Sequence, residues 1–534
     1  MMPEQVSASS EPSTTQPPAP ERNPRAALAV WSAIVATAAA SLYVFYSRGL
    51  TNLYGDGIAH MEGARRLFDS LTPGYAEIGT VWLPLYHLLA APLAVNNFLW
   101  RSGLGGSLIS EAAFALAAWF VYRLALEMNR SRAAGWVALA IFLFCPSMMY
   151  LASTPLTEPL TLLWAVLTVY GLFRYQANGS TRALVGAAAA ALCGTLTRYD
   201  GWFLLPFTAV FVFLARRENV RQRWRHAAIF SLISGLGPAL WLLHNAVRFG
   251  NPLEFYNGPF SAQAIYARQI ATTGFHYPTD GSLLISARYY LADLALIIGP
   301  WVLELAVLGM VVWALEARER GRRSAALLFL VPFVFYVQSM AHAAVALYLP
   351  TLFPHTYYNL RYGIEMLPAI AIFPSFLVTA KTPARWRTVL VTVILCVVLA
   401  QFGSDLARGA RELPVVKESI LNTPCRSPAQ QELIAFFRQH YDGGEILTAL
   451  GKWPCVWPAL GIPFRHTISE ENRKIWKQLP ADPGKWVVWI IRGEGDTVDA
   501  LMRAYPKAFN RFTLVERRSF GPGNVVEIYH RAPK

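Results

Sequence analysis

Residues 26–62 read AALAVWSAIVATAAASLYVFYSRGLTNLYGDGIAHME, and the rest of the chain is interpreted outward from this stretch. Residues 26–46 form an apolar run of the length that crosses a bilayer, about 20 residues. Asp56, His60 and Glu62 follow where the chain leaves that run, and Asp56 and His60, four apart, share one helix face. Acidic groups at a bilayer boundary are costly unless they hold a ligand, a metal or a proton. This loop is therefore the first candidate functional site.

The composition predicts a polytopic membrane protein. The 534 residues are 54% hydrophobic and 15% charged, whereas soluble proteins carry about 25% charged residues. Apolar runs of about 17–25 residues recur along most of the chain. The net charge of +14 comes from short Lys and Arg clusters between these runs, as in cytoplasmic loops. We therefore expect membrane lipids as partners and no nucleic acid.

The basic clusters also predict the orientation. If the run 82–100 does not cross, every basic linker falls on one side, with about eleven spans, the N-terminus in the cytoplasm and the C-terminus outside. Pro84, His87 and Pro92 within that run favour an interfacial segment. The candidate runs are 26–46, 82–100, 107–127, 134–151, 157–174, 182–198, 201–215, 227–247, 289–315, 325–349, 362–380 and 388–403.

The chain divides into three predicted parts. Residues 1–25 read as a disordered cytoplasmic tail, 26–403 as an all-α polytopic membrane domain, and 404–534 as a small α/β extracytoplasmic domain. Interfacial helices are expected in the first outer loop, 47–106. In the last part, helices are predicted at 428–440 and 472–478, and strands at 445–450, 486–491 and 524–530. Cys425 and Cys455 there form one disulfide if this part lies outside the cytoplasm.

The predicted outer face carries carboxylates beside arginines. A carboxylate can take a proton from an acceptor hydroxyl or amine. An arginine can hold the phosphate of a lipid-linked donor and stabilise it as it leaves. A donor carried by a lipid also explains a site at the edge of the bilayer.

Six motifs in order carry a family resemblance. They are Asp56 to Arg66, Trp82-Leu-Pro84-Leu-Tyr86-His87, Asn129-Arg130-Ser-Arg132, Ser153 to Glu158, Gly194 to Gly201, and Arg361 to Pro368. Their order resembles the GT-C superfamily of integral-membrane glycosyltransferases, in particular the aminoarabinose-to-lipid-A transferases and the protein O-mannosyltransferases. The chain departs from the family pattern where Gly57 follows Asp56, and where Glu158 and Arg198 replace the commoner Asp and Lys.

The resemblance implies a transferase of the bacterial inner membrane. It would move a sugar from a polyprenyl-phosphate donor to a lipid, glycan or protein acceptor at the outer face, with inversion and without a cofactor. A divalent cation stays open if Asp56, His60 and Glu158 converge. A transporter or lipid flippase stays an alternative, and so does a non-catalytic scaffold.

Each expected role has a structural alternative. The catalytic candidates are Asp56 and Glu158. Asp56 is the candidate general base, and its structural alternative is a helix N-cap. Glu158 is a candidate acidic contact to the acceptor or metal ligand, and its structural alternative is a charge favoured by the dipole of the helix that starts at Pro159. Arg198 and Arg361 are the candidate ligands of the donor phosphate. The structural alternative for Arg198 is an ion pair that fixes helices, and that for Arg361 is a side chain that extends to the membrane interface. The candidate substrate-binding residues are His60, His87, Asp200 and Tyr358.

Overall fold

The computed structural model describes residues 24–316, 321, 323–521 and 523–531. The predicted tail over 1–25 therefore lies almost wholly outside the described residues. The helices up to residue 407 are α1 Pro24–Ser47, α2 Gly55–Arg66, α3 Leu85–Ala94, α4 Asn97–Arg101, α5 Leu104–Asn129, α6 Arg132–Leu143, α7 Pro146–Ala152, α8 Glu158–Asn178, α9 Thr181–Thr195, α10 Asp200–Leu214, α11 Val220–Ser234, α12 Leu236–Phe249, α13 Glu254–Asn257, α14 Ala262–Thr273, α15 Leu283–Ile297, α16 Pro300–Leu315, α17 Val331–Ala341, α18 Leu367–Ile372 and α19 Ala384–Ala407.

The remaining elements lie nearer the C-terminus or are short. The helices are α20 Pro414–Asn422, α21 Pro428–His440, α22 Val456–Leu460, α23 Arg473–Trp476 and α24 Thr497–Ala504, and the strands are β1 Ile446–Leu447, β2 Thr467–Ile468, β3 Trp489–Gly493, β4 Phe512–Ser519 and β5 Val525–Arg531. The 3₁₀ helices are Tyr75–Ile78, Ser324–Leu330, Leu360–Met366, Phe373–Val378, Ala410–Glu412, Pro424–Arg426, Phe464–His466, Pro483–Lys485 and Pro506–Phe509.

Several helical stretches are long and apolar enough to cross a membrane. In the described part of the chain there are six: α1, α5, Val220–Phe249, Ser324–Ala341, Leu360–Val378 and α19. Two pairs bent by 64° (α6 with α7) and 114° (α15 with α16) bring the number to eight if each pair is one span. The count of about eleven is not confirmed. Two of the predicted runs form the apolar helices α9 and α10, which have 15 residues each and reach about 22 Å, short of a hydrocarbon core of about 30 Å.

The run 82–100 is not one helix. It is divided between α3, of 10 residues, and α4. Asn96 separates them by capping α4, since its side chain accepts hydrogen bonds from the amides of Phe98 and Leu99. A helix of 10 residues spans about 15 Å, half a bilayer core. This break agrees with the interfacial segment that the charge pattern favours.

The basic linkers meet at one end of the helical bundle. The amide of Ala380 donates to the carbonyl of Asn129 at 3.1 Å. Gln176, at the end of α8, receives a hydrogen bond from Arg216 at 3.2 Å and donates to the carbonyl of Gly321 at 2.9 Å. The motifs with carboxylates lie at the other end, where α2, α8 and α10 begin. The basic linkers and the carboxylate motifs thus lie at opposite ends of the bundle. The side of the membrane that each end faces stays a prediction.

The C-terminal part contains a mixed five-stranded sheet of order β2-β1-β3-β5-β4. β1 runs parallel to β2 and β3, and β5 is antiparallel to β3 and β4. The predicted strands correspond to β1, β3 and β5. The two others were missed because β2 has two residues and β4 is an edge strand with exposed charged residues, a pattern that suppresses edge pairing but hides a strand. Cys425 and Cys455 form a disulfide.

The C-terminal part is packed into the bundle. Tyr54 donates to the carbonyl of Val415 at 2.9 Å, and Tyr150 donates to Ser419 at 2.7 Å, both on α20. Apolar residues of α20, α21 and the sheet share one core with the membrane helices. The predicted boundary between 403 and 404 therefore stays a prediction.

Candidate active site

Asp56 lies in the first turn of α2, whose N-cap is Tyr54. The alternative role of Asp56 as the helix N-cap is therefore not seen. Its carboxylate forms an ion pair with Arg361, and its side chain stays 45% exposed while that of Arg361 is 6% exposed. Partial burial raises the pKa of Asp56, but the charge and hydrogen bond of Arg361 outweigh it and hold the pKa below its ordinary value. Asp56 is thus an ionised, accessible carboxylate.

Glu158 is the first residue of α8 and is fully buried. Its Oε1 lies 3.2 Å from Nη1 of Arg198 and 3.2 Å from Nε of Arg361. One buried carboxylate therefore joins the two arginines that the sequence proposed for the donor phosphate. Removing one partner of such a buried pair is costly because it leaves a charge without compensation.

Arg198 lies in the turn between α9 and α10 and is held on several sides. Its guanidinium contacts Asp200 at 3.1 Å, Glu365 at 3.2 Å and the hydroxyl of Tyr336 at 3.1 Å, besides Glu158. Tyr336 donates to Glu365 at 2.8 Å. The planar guanidinium of an arginine has several N–H donors and can contact all these acceptors at once, whereas the compact ammonium of a lysine cannot.

These residues form what we call the charged cluster. Within the described residues it consists of two arginines and four carboxylates: Arg198, Arg361, Asp56, Glu158, Asp200 and Glu365. The ring of Tyr362 lies beneath both guanidinium groups, 5.1 Å from that of Arg198 and 5.3 Å from that of Arg361. A narrow apolar cavity of about 40 Å³ leads from Asp200 and Glu365 between α8, α10 and α17.

The comparisons with known proteins bear on this architecture. Residues 96–241 match a family model described as dolichyl-phosphate-mannose-protein mannosyltransferase. ArnT from Cupriavidus metallidurans, bound to undecaprenyl phosphate, aligns with a TM-score of 0.53 and 15% identity over 94% of this chain and 98% of that chain. The apo form of the same protein gives a TM-score of 0.52 and 14% identity over 95% and 100%. No curated protein sequence matches the chain.

ArnT is a member of the GT-C superfamily, and the alignment covers nearly the whole of both chains. The chain has the GT-C fold. The resemblance read from the motifs is thereby confirmed, and the identities of 15% and 14% carry the fold alone. Roles of individual residues in this GT-C fold rest on the geometry of the charged cluster.

His60 and His87 form a pair beside the cluster. His60 Nδ1 lies 3.1 Å from His87 Nε2, and the ring of Trp82 lies 4.6 Å from that of His60 at an interplanar angle of 47°. Burial, and then the neighbouring His87, lower the pKa of His60 well below its ordinary value. Burial, and then Arg66, lower the pKa of His87 to about 4. Both rings are therefore neutral near pH 7 and contact each other.

The other two substrate-binding candidates are placed differently. Asp200 uses one oxygen for Arg198 and the other for the amide of Gly201 at 2.7 Å, so it fixes the turn. Tyr358 is 44% exposed and stacks on Tyr348 at 5.6 Å. Burial, and then the charge of Asp56, raise the pKa of Tyr358 to about 12. Tyr358 thus lies beside Asp56 with a protonated hydroxyl.

The geometry does not bring the proposed metal ligands together. In the part of the chain that the structure describes, no group of three or more His, Cys, Asp or Glu side chains is arranged to hold a metal ion. Asp56 and Glu158 instead neutralise Arg361.

Sequence reasoning missed Glu365, Tyr336 and Tyr362. Glu365 follows Arg361 by four residues, and an acid inside an apolar run was a usable signal. The two tyrosines carried none, because an aromatic residue in an apolar run is typical of a core. Tyr336 stacks on Tyr362 at 5.2 Å and donates a hydrogen bond to Glu365. The role of Tyr336 is therefore visible only in the tertiary structure.

Proposed function

We propose that this chain is an inverting glycosyltransferase that moves a sugar from a polyprenyl-phosphate donor to an acceptor at the outer face of a bacterial inner membrane. The observation that carries the proposal is the pair of arginines joined through buried Glu158 beside accessible Asp56. A preorganised pair of guanidinium groups suits the negative charge that develops on a departing phosphate. The GT-C fold supports the reaction class, and the undecaprenyl phosphate bound by ArnT supports a polyprenyl carrier.

The reaction is a displacement at the anomeric carbon. The oxygen or nitrogen of the acceptor attacks that carbon, and its proton passes to Asp56. The bond between the anomeric carbon and the phosphate oxygen breaks, and the phosphate leaves with the electron pair. Asp56 is suited to the base because it is ionised and its side chain is 45% exposed. Arg361 and Arg198 stabilise the leaving phosphate.

Glu158 is assigned a positioning role in this scheme. It has no exposed surface, and both arginines contact the same oxygen. An acceptor would therefore reach Asp56 first. An apolar cavity between α8, α10 and α17 begins at Asp200 and Glu365, but its volume of about 40 Å³ is too small for a polyprenyl chain.

The test is sugar transfer in liposomes. Radiolabelled polyprenyl-phosphate monosaccharides are offered to the wild type and to Asp56→Asn, with a cell-envelope extract as acceptor, with and without EDTA. We expect transfer by the wild type and a loss of about 10²-fold or more in the variant, the scale of general base catalysis, with donor binding retained. Asp280→Asn is the matched control, since Asp280 is an exposed acid that pairs with Tyr266 away from the cluster.

The result also separates the alternatives. Transfer that EDTA abolishes would show a metal requirement. No transfer from any donor, with equal donor binding in both proteins, would overturn the proposal and favour a transporter or a scaffold.

A further inference from the structure

A large groove opens at the basic end of the bundle, opposite the charged cluster. It encloses about 1240 Å³, more than the roughly 300–1,000 Å³ of sites for small molecules. We call it the basic groove; its lining comes from the segments 126–132, 173–178, 207–217 and 324–331. None of these residues belongs to the charged cluster, so the groove is a separate feature.

The walls of the basic groove are apolar. Phe207, Val210 and Leu214 follow one another by three and four residues on α10 and therefore share a face. They are 39%, 58% and 62% exposed, and Leu327 on the opposite wall is 38% exposed. Exposed apolar side chains on facing walls of a membrane protein present a surface for acyl chains.

The rim of the groove is positively charged. Among the described residues, it is lined by one acid, Glu127, and by four arginines: Arg130, Arg132, Arg174 and Arg217. The charge of Glu127 is already compensated, since it accepts from Arg123 at 2.7 Å and from Arg174 at 3.2 Å. Arg130 and Arg217 are exposed. The rim therefore complements an anion and the walls complement hydrocarbon.

We propose that the basic groove binds an anionic phospholipid. Its acyl chains would lie between α10 and the 3₁₀ helix Ser324–Leu330, with the phosphate among the arginines. Basic pockets between membrane helices bind anionic lipid head groups in this way. The tail of a polyprenyl donor explains the groove less well, because its phosphate would lie at the charged cluster and not beside the exposed Arg130 and Arg217 at the rim. This argument against the polyprenyl tail rests on the proposed function, whereas the charge and the apolar lining of the groove do not.

The test uses protein purified in detergent and stripped of lipid. Binding of phosphatidylglycerol and of zwitterionic phosphatidylethanolamine is measured by native mass spectrometry. Arg130→Gln with Arg217→Gln removes two rim charges. We expect phosphatidylglycerol to bind the wild type in preference to phosphatidylethanolamine, and to bind the double variant roughly 30-fold more weakly. The matched control is Arg221→Gln with Arg225→Gln, which removes two exposed charges on α11 outside the groove lining.

A second arm tests the walls. Val210→Trp fills the groove from an exposed position and should weaken phosphatidylglycerol binding without removing charge. Three results would overturn the proposal: equal binding of the two phospholipids, equal losses in the rim and control variants, or undecaprenyl phosphate displacing phosphatidylglycerol with an affinity that the rim variant does not change.

Discussion

At the scale of residues, the charged cluster depends on Glu158 more than on any single ion pair. Its carboxylate lies between Arg198, which follows 40 residues later in the chain, and Arg361. Loss of the carboxylate removes the one counter-charge that the two guanidinium groups share, while Arg198 keeps Asp200 and Glu365 and Arg361 keeps Asp56.

We therefore expect Glu158→Gln to lower the free energy of unfolding by about 1.5–3 kcal/mol, the scale of a hydrogen bond to a charged group, and to weaken donor binding and turnover. Glu127→Gln is the matched control, because Glu127 also accepts from two arginines, but at the basic end. It should lower thermal stability and leave the donor KM unchanged. Thermal unfolding and donor kinetics measure the two effects, and an equal rise in KM for both variants would contradict the assigned role.

Glu418 gives a prediction of pH dependence. Its two carboxylate oxygens accept the amides of Asn359 at 2.8 Å and Leu360 at 2.9 Å, just before Arg361. Burial raises the pKa of Glu418 to about 7, opposed by Arg361. Between a pH of about 4.3, the ordinary pKa of a glutamate, and about 7, Glu418 is therefore protonated in the native state and ionised in the unfolded state.

The stability that this proton contributes is therefore full below a pH of about 4.3 and is lost as the pH rises through about 7. The free energy of unfolding changes by about 4 kcal/mol over this range. Tyr54, Tyr150 and Arg361 surround the group. Glu418→Gln cannot titrate, so we expect its melting temperature to fall less than that of the wild type between pH 5 and 8. Parallel melting curves of the two proteins against pH would refute the assignment.

At the scale of elements, the disulfide supports the segment that carries Asp56. Cys425 lies in the 3₁₀ helix Pro424–Arg426, and Cys455 is the N-cap of α22. A Cβ atom at Gly55 would lie 3.5 Å from Pro424, so this turn packs against the start of α2. The bond closes a loop with a sequence separation of 30 residues. The disulfide is therefore close to the start of the helix that carries Asp56.

We expect replacement of both cysteines by serine to lower the free energy of unfolding by about 3–4 kcal/mol, the scale for a loop of this length. Reduction of the wild type should produce the same fall in melting temperature and should leave the serine variant unchanged. Equal sensitivity of both proteins to reductant would show that the bond does not contribute.

At the scale of the whole molecule, the basic linkers lie at one end and the charged cluster at the other. The positive-inside rule assigns the basic end to the cytoplasm. We expect Asp280→Cys, in a background without native cysteines, to react with a membrane-impermeant thiol reagent on intact cells, and Arg130→Cys to react only after lysis. Both positions are exposed, so access alone decides the result. Labelling of the Arg130 position in intact cells would show that the basic end faces outward, opposite to the predicted orientation.

The sequence alone determined the membrane class, the separation of basic from acidic linkers, the strands of the C-terminal part that have strong local patterns, and the members of the charged cluster that lie in polar motifs. These features depend on the length of apolar runs and on charges near them, which are local properties. Only the tertiary structure decided that Asp56 meets Arg361, 305 residues away, that Glu158 joins two arginines, and that Glu365 and Tyr336 belong with them. Contacts between distant residues follow from how the helices pack, and a single sequence carries no local signal for that packing.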